Sequence, residues 1–216
     1  MAKRVGMAVV AIALASAPLP AIAATYTPVG PQQNVALSTV LSGGWTLCYQ
    51  KTMNIGLGSS ALDELAACGA PGKNVMLAGR VTGSQTLLLL AEAPYADVTF
   101  NTGAANNGIT HNANGSEWYY SDEWSWGYAG AGQAVNKFQC DTNAGPLRMC
   151  LHTLGSGVGG YRIGDNIGLN NSVDFEKLIF VDNGGAVPEP SAWAMMLAGF
   201  GLIGFAARRR LFVTYA

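Results

Sequence analysis

Residues 74–93 read NVMLAGRVTGSQTLLLLAEA, two apolar runs on either side of Gly83. Each run has the length of a strand, and TLLLLAEA is apolar without alternation, as in a strand covered on both faces. Upstream, GWTLCYQ alternates Trp45, Leu47 and Tyr49, the pattern of a half-buried strand. Downstream, ADVTF, EWYYS, WSWGYA, AVNKFQC, LRMCLHTL and EKLIFVD read as further strands. Asn107-Gly108 and Asn114-Gly115 are hairpin-turn signals, because both residue types accept positive φ. SALDELAAC is the one convincing helix, with Ser59 or Ser60 as cap and Leu62, Leu65 and Ala66 on one face. ATYTPVGPQQN reads as a polar leader lying extended on the surface. Short strands joined by Gly- and Asn-rich turns predict a mainly β domain, an antiparallel β-sandwich or jelly-roll-like ectodomain with one short helix.

The two ends have a different character. The chain has 216 residues, 50% hydrophobic and only 12% charged, and the apolar excess is terminal. Residues 1–23 place Lys3 and Arg4 before a short apolar run and end in Ala21-Ile22-Ala23. That is the order of a secretory signal peptide with cleavage after Ala23, while Pro18 and Pro20 argue against a retained anchor. At the other end, residues 191–207 carry no charge and span about 25 Å as a helix, just enough to cross a thin hydrocarbon core. Arg208, Arg209 and Arg210 follow as a cytoplasmic stop. The predicted organisation is a signal peptide at 1–23, an exported β-rich domain at 24–186, a C-terminal segment at 187–210 with one transmembrane helix, and a tail at 211–216.

Between the terminal segments, seven Lys and Arg stand against twelve Asp and Glu, a net charge of minus five. An acidic exported domain without a basic run does not suit nucleic acid, whose phosphates must be neutralised. All four cysteines, Cys48, Cys68, Cys140 and Cys150, fall in this domain, where an oxidising compartment favours disulfides. Three pairings are possible; Cys48 with Cys68 and Cys140 with Cys150 are preferred because each closes a short loop. The cysteines lack a CxxC pair or a matching His, so no metal site is expected.

Residues 187–190, Val-Pro-Glu-Pro, precede the apolar segment and the Arg cluster. This three-part order closely resembles the PEP-CTERM sorting domain of Gram-negative bacteria, whose members also carry an N-terminal signal peptide. Here LFVTYA follows the arginines, where the family usually stops within a few residues. The resemblance implies signal peptidase and the general secretion machinery as partners, then an exosortase, a membrane-embedded cysteine transpeptidase-like enzyme that recognises Pro188, Glu189 and Pro190. It also implies an inner-membrane precursor that later reaches the cell surface or an extracellular matrix, in bacteria that make extracellular polysaccharide and biofilm. Physically, the two prolines hold the triplet extended just outside the membrane, where an enzyme meets open backbone.

Within the exported domain, six aromatics lie between Trp118 and Tyr128, beside Glu117, Asp122 and Glu123. Trp118, Tyr120, Trp124 and Trp126 are candidate glycan contacts, since aromatic faces stack on sugar rings. The competing and preferred reading takes the alternation of Trp124, Trp126 and Tyr128 as the inward face of a core strand. Other patterns are weaker. The Gly155-x-Gly157-x-x-Gly160 run has no βαβ surroundings, and GAPGKN has Asn74 where a phosphate loop needs Ser or Thr. Cys150 beside His152 reads as a disulfide half rather than a thiol nucleophile, and residues 165–174 lack calcium-loop spacing. No cofactor is expected. The reading is a non-catalytic structural or glycan-binding surface protein; the alternative is a secreted carbohydrate-active enzyme using carboxylates such as Asp122 and Glu123.

Overall fold

The computed structural model describes residues 25–58, 60–103, 107–138, 140–153 and 159–183. The expected signal peptide, sorting triplet, transmembrane helix, Arg cluster and tail all lie outside these residues. Among the described residues no helix is long and apolar enough to cross a membrane.

In chain order the strands are β1 (Gln32–Ala36), β2 (Trp45–Thr52), β3 (Asn74–Val81), β4 (Thr86–Pro94), β5 (His111–Ala113), β6 (Ser116–Tyr120), β7 (Ser125–Gly130), β8 (Lys137–Phe138), β9 (Cys140–Asp141), β10 (Met149–His152), β11 (Arg162–Ile163), β12 (Asn166–Ile167) and β13 (Phe175–Asp182). Among the described residues three short α-helices, α1 (Leu37–Ser42), α2 (Ala61–Ala67) and α3 (Tyr95–Val98), and one 3-10 turn (Leu169–Asn171) join them. One antiparallel sheet runs β1-β4-β3-β13-β2, and a second runs β12-β11-β10-β7-β6-β5.

The stretch 74–93 forms the β3–β4 hairpin, with Asn74 opposite Pro94 and Gly79 opposite Leu89. On its other side β3 pairs with β13, so it is a central strand. Val75 and Leu77 join a core shared with Trp118, Trp126, Met149 and Ile163 of the second sheet. Met76 and Ala78, on the opposite face, pack with Leu37, Val40, Trp45 and Phe180. Two covered faces leave no position for a polar alternation, which explains the unbroken apolar pattern. Each fully buried large apolar side chain contributes about 1.5–3 kcal/mol.

Four expectations need correction. The leader is not simply a surface strand: Trp45 Nε1 donates to Tyr26 O at 2.7 Å, Tyr26 N donates to Gly43 O at 2.9 Å, and Pro28 and Gly30 are buried. Its end forms β1, the edge strand beside β4. ADVTF is not a strand, because Pro94 ends the ladder with φ −51° and the chain turns into α3. LSTVLS forms α1, with Leu37 and Val40 buried, an amphipathic piece of under two turns, too short to show helical periodicity. The expected α2 is present, and Ser60 caps it by accepting a 3.0 Å bond from Leu62 N. Asn114-Gly115 turns between β5 and β6, both residues at positive φ, whereas Asn107 bonds to Ile109 N in a local turn that joins no paired strands.

Candidate functional site

The aromatic segment folds as the β6–β7 pair, with Trp118 opposite Tyr128 and Tyr120 opposite Trp126. Trp118, Trp126 and Tyr128 are 0% exposed and Tyr120 2%. The Trp118 and Tyr128 rings lie 5.0 Å apart, tilted by 59°, and Tyr128 donates to Leu77 O of the facing sheet at 3.3 Å. Burial between two sheets withdraws Trp118, Tyr120 and Trp126 as glycan contacts, because their faces are covered by protein. The strand-alternation reading holds for Trp126 and Tyr128. Trp124 is different: it lies in the turn before β7, half-buried. Beside it, the exposed Asp122 accepts hydrogen bonds from Tyr120 Oη and, at 3.5 Å, from Ser60 Oγ, while Glu123 is exposed. Burial, then the hydrogen bond and charge of Asp122, push the Tyr120 phenol above its ordinary value.

The four cysteines form the two preferred bridges, Cys48–Cys68 and Cys140–Cys150. The first ties the end of α2 to β2. The second joins β9 to β10 within a small cluster on the outer face of the second sheet, with Tyr119, Ala129 and Val135. Cys150 therefore carries no free thiol. Next to this bridge, the fully buried Arg162 spends all five N–H groups on carbonyls of Asp141, Asn143, Gly145 and Gly164, and Arg148 pairs with Asp141. This hub pins the β11–β12 hairpin, so the chain after Gly160 continues as a strand and not as the helix of a dinucleotide fold.

Two further arrangements were not visible in the sequence. His111 of β5 bonds Asp97 of α3 at 2.7 Å and stacks on the half-exposed Phe100, with centroids 4.4 Å apart. The second is a cleft of about 150 Å³ between the edge strand β1 and the β11–β12 hairpin. Gln33 and Asn34 form one lip, Asp165 and Asn166 the other with Pro146, and Leu88, Leu89 and Ile163 the floor. Its only sequence trace is the Gly164-Asp165 turn; the facing lip comes from a distant segment. No group of three or more His, Cys, Asp or Glu among the described residues could hold a metal ion.

The described domain ends at Asn183, whose N–H donates to Gly44 O at 2.8 Å. Two glycines then separate it from residues 186–210, which match the model of the PEP-CTERM protein-sorting motif. The chain thus carries the sorting signal of an exported, exosortase-sorted protein, and Pro188, Glu189, Pro190 and Arg208 to Arg210 fall within the matched stretch. No curated protein and no solved structure matches the chain.

Proposed function

We propose that this is a non-catalytic protein of the cell surface or extracellular matrix, delivered by an exosortase and contacting polysaccharide through its two-sheet ectodomain. The observation that carries the proposal is the sorting motif at residues 186–210. In this reading residues 1–23 are removed by signal peptidase, residues 191–207 hold the precursor in the inner membrane, and the Arg cluster stays cytoplasmic. Two disulfides suit an oxidising exterior, and a net charge of minus five turns the domain away from nucleic acid.

Incubating the purified protein with the insoluble extracellular polysaccharide of its own host tests the role of the ectodomain. The protein is expected to co-sediment with the polysaccharide and to leave the reducing-end content constant. Release of new reducing ends would replace this reading with that of a carbohydrate-active enzyme, and failure to sediment would remove the polysaccharide.

A further inference from the structure

We infer that the cleft between β1 and the β11–β12 hairpin binds a single neutral saccharide ring. The inference rests on the polysaccharide-contacting reading above and gives it a location.

Both lips depart from ordinary strand geometry in a way that gathers polar side chains. Neighbours in a regular strand point to opposite faces, yet Gln33 and Asn34 both line the cleft. Asn34 achieves this with φ +55°, one of only two non-glycine residues at positive φ among those described. The other, Asn114, belongs to an Asn-Gly hairpin turn that demands it. A left-handed residue inside an edge strand costs backbone energy that no turn explains, and such costs gather at binding sites. Across the cleft, Gly164 at φ +58° turns the hairpin, and Asp165 and Asn166 line the opposite side.

The chemistry of the lining selects the ligand. Gln33 and Asn34 are exposed residues of the lining, and each side-chain amide carries donors and an acceptor, as paired ring hydroxyls require. Asn166 spends one of its donors on Ile163 O at 3.2 Å, which fixes its amide. Below them the half-buried Leu88 offers an aliphatic patch that suits the C–H face of a ring, with Ile163 and Leu89 buried beneath it. Asp165 is exposed and is the one acidic residue in the lining, which holds no basic one. Arg162 lies in the same hairpin with its N–H groups occupied, so no donor cation remains for a carboxylate ligand. Uronate rings are therefore disfavoured against neutral ones.

The test uses the full chain in detergent micelles and saturation-transfer NMR with methyl glucoside, methyl galactoside, methyl mannoside, N-acetylglucosamine and glucuronate. Transfer is expected to at least one neutral sugar and not to glucuronate. Asn34→Gly keeps the positive φ while deleting the amide, and Asn166→Ala removes the opposite one. Each is expected to weaken binding about tenfold, the effect of one lost hydrogen bond of about 1.4 kcal/mol, with an unchanged melting temperature. Asp165→Asn is expected to admit glucuronate. Neutral-sugar binding that survives both amide substitutions would place the site elsewhere and overturn this inference alone. Absence of transfer from a wild-type protein that still co-sediments with polysaccharide would do the same. Failure of both assays would remove the polysaccharide reading as well.

Discussion

Ile163 packs directly on the α-carbon of Gly79 in the opposite sheet: a Cβ at Gly79 would lie 2.5 Å from both Cγ1 and Cδ1 of Ile163. The β11–β12 hairpin is thereby seated on the centre of β3. Gly79→Ala is expected to destabilise the domain by about 1–3 kcal/mol through overpacking. Combining it with Ile163→Ala should cost less than the sum of the two single changes, since the second removes the clashing atoms. Chemical denaturation of the four proteins checks this, and strict additivity would contradict the contact.

Burial and the charge of Asp182 push the Glu92 carboxyl up to about 7 from 4.5, against a lowering hydrogen bond from Asn114. The folded state then binds more protons than the unfolded state between these values, so stability falls as pH rises from about 4.5 through 7. The loss amounts to about 3 kcal/mol at most. Burial alone pushes the Lys177 amine down to about 7 from 10.5. Its Nζ donates to carbonyls of Thr52 and Ile55 and, among the described residues, to no carboxylate. Here the unfolded state binds more protons, so stability rises with pH from about 7 to 10.5. Glu92→Gln should gain on wild type as pH increases to 8, and Lys177→Met should gain as pH decreases to 7. Parallel pH profiles for all three proteins would contradict both assignments.

For the disulfides, loop length and burial favour opposite bridges. Cys48–Cys68 closes twenty residues and Cys140–Cys150 ten, a loop-entropy advantage of about 0.6 kcal/mol for the first. Cys140 and Cys150 are 1% and 0% exposed, whereas Cys48 and Cys68 are only partly buried. Losing two buried sulfurs outweighs the loop difference. The double alanine variant at Cys140 and Cys150 is therefore expected to melt lower than the one at Cys48 and Cys68; the reverse order would contradict this.

The two tryptophans of the turn and strand should separate cleanly. Trp126→Ala empties a site between the sheets and is expected to cost about 3–5 kcal/mol. Trp124→Ala, in the half-buried turn, should cost less than half of that. Equal costs, measured by denaturant titration, would place Trp124 in the core too.

The strands were legible wherever a face is fully committed. The β3–β4 hairpin, β13 and the aromatic pair announce themselves because Val75, Leu77, Trp126 and Ile179 serve one continuous core. Short elements escaped, since α1 and α3 are six and four residues long and make too few turns to show a period. Polar Gln32 and Gln33 concealed β1, whose outer edge is open and needs no apolar pattern. The alternation of Trp124, Trp126 and Tyr128 was right about the strand and one residue too generous at its start. The cleft was illegible because Asn34 and Asp165 meet only through the packing of two sheet edges.

Residues 186–210 match a sorting motif and are expected to act as a sorting signal and not merely as an anchor. Replacing Pro188-Glu189-Pro190 with three alanines leaves the apolar length and the Arg cluster intact, so a simple anchor would behave as before. Mass spectrometry of fractionated cells that contain an exosortase decides the matter. Wild type is expected to yield a shortened form at the cell surface or in the medium, while the triple-alanine protein stays in the inner membrane without that shortening. Identical mass and identical fractionation of the two proteins would contradict it.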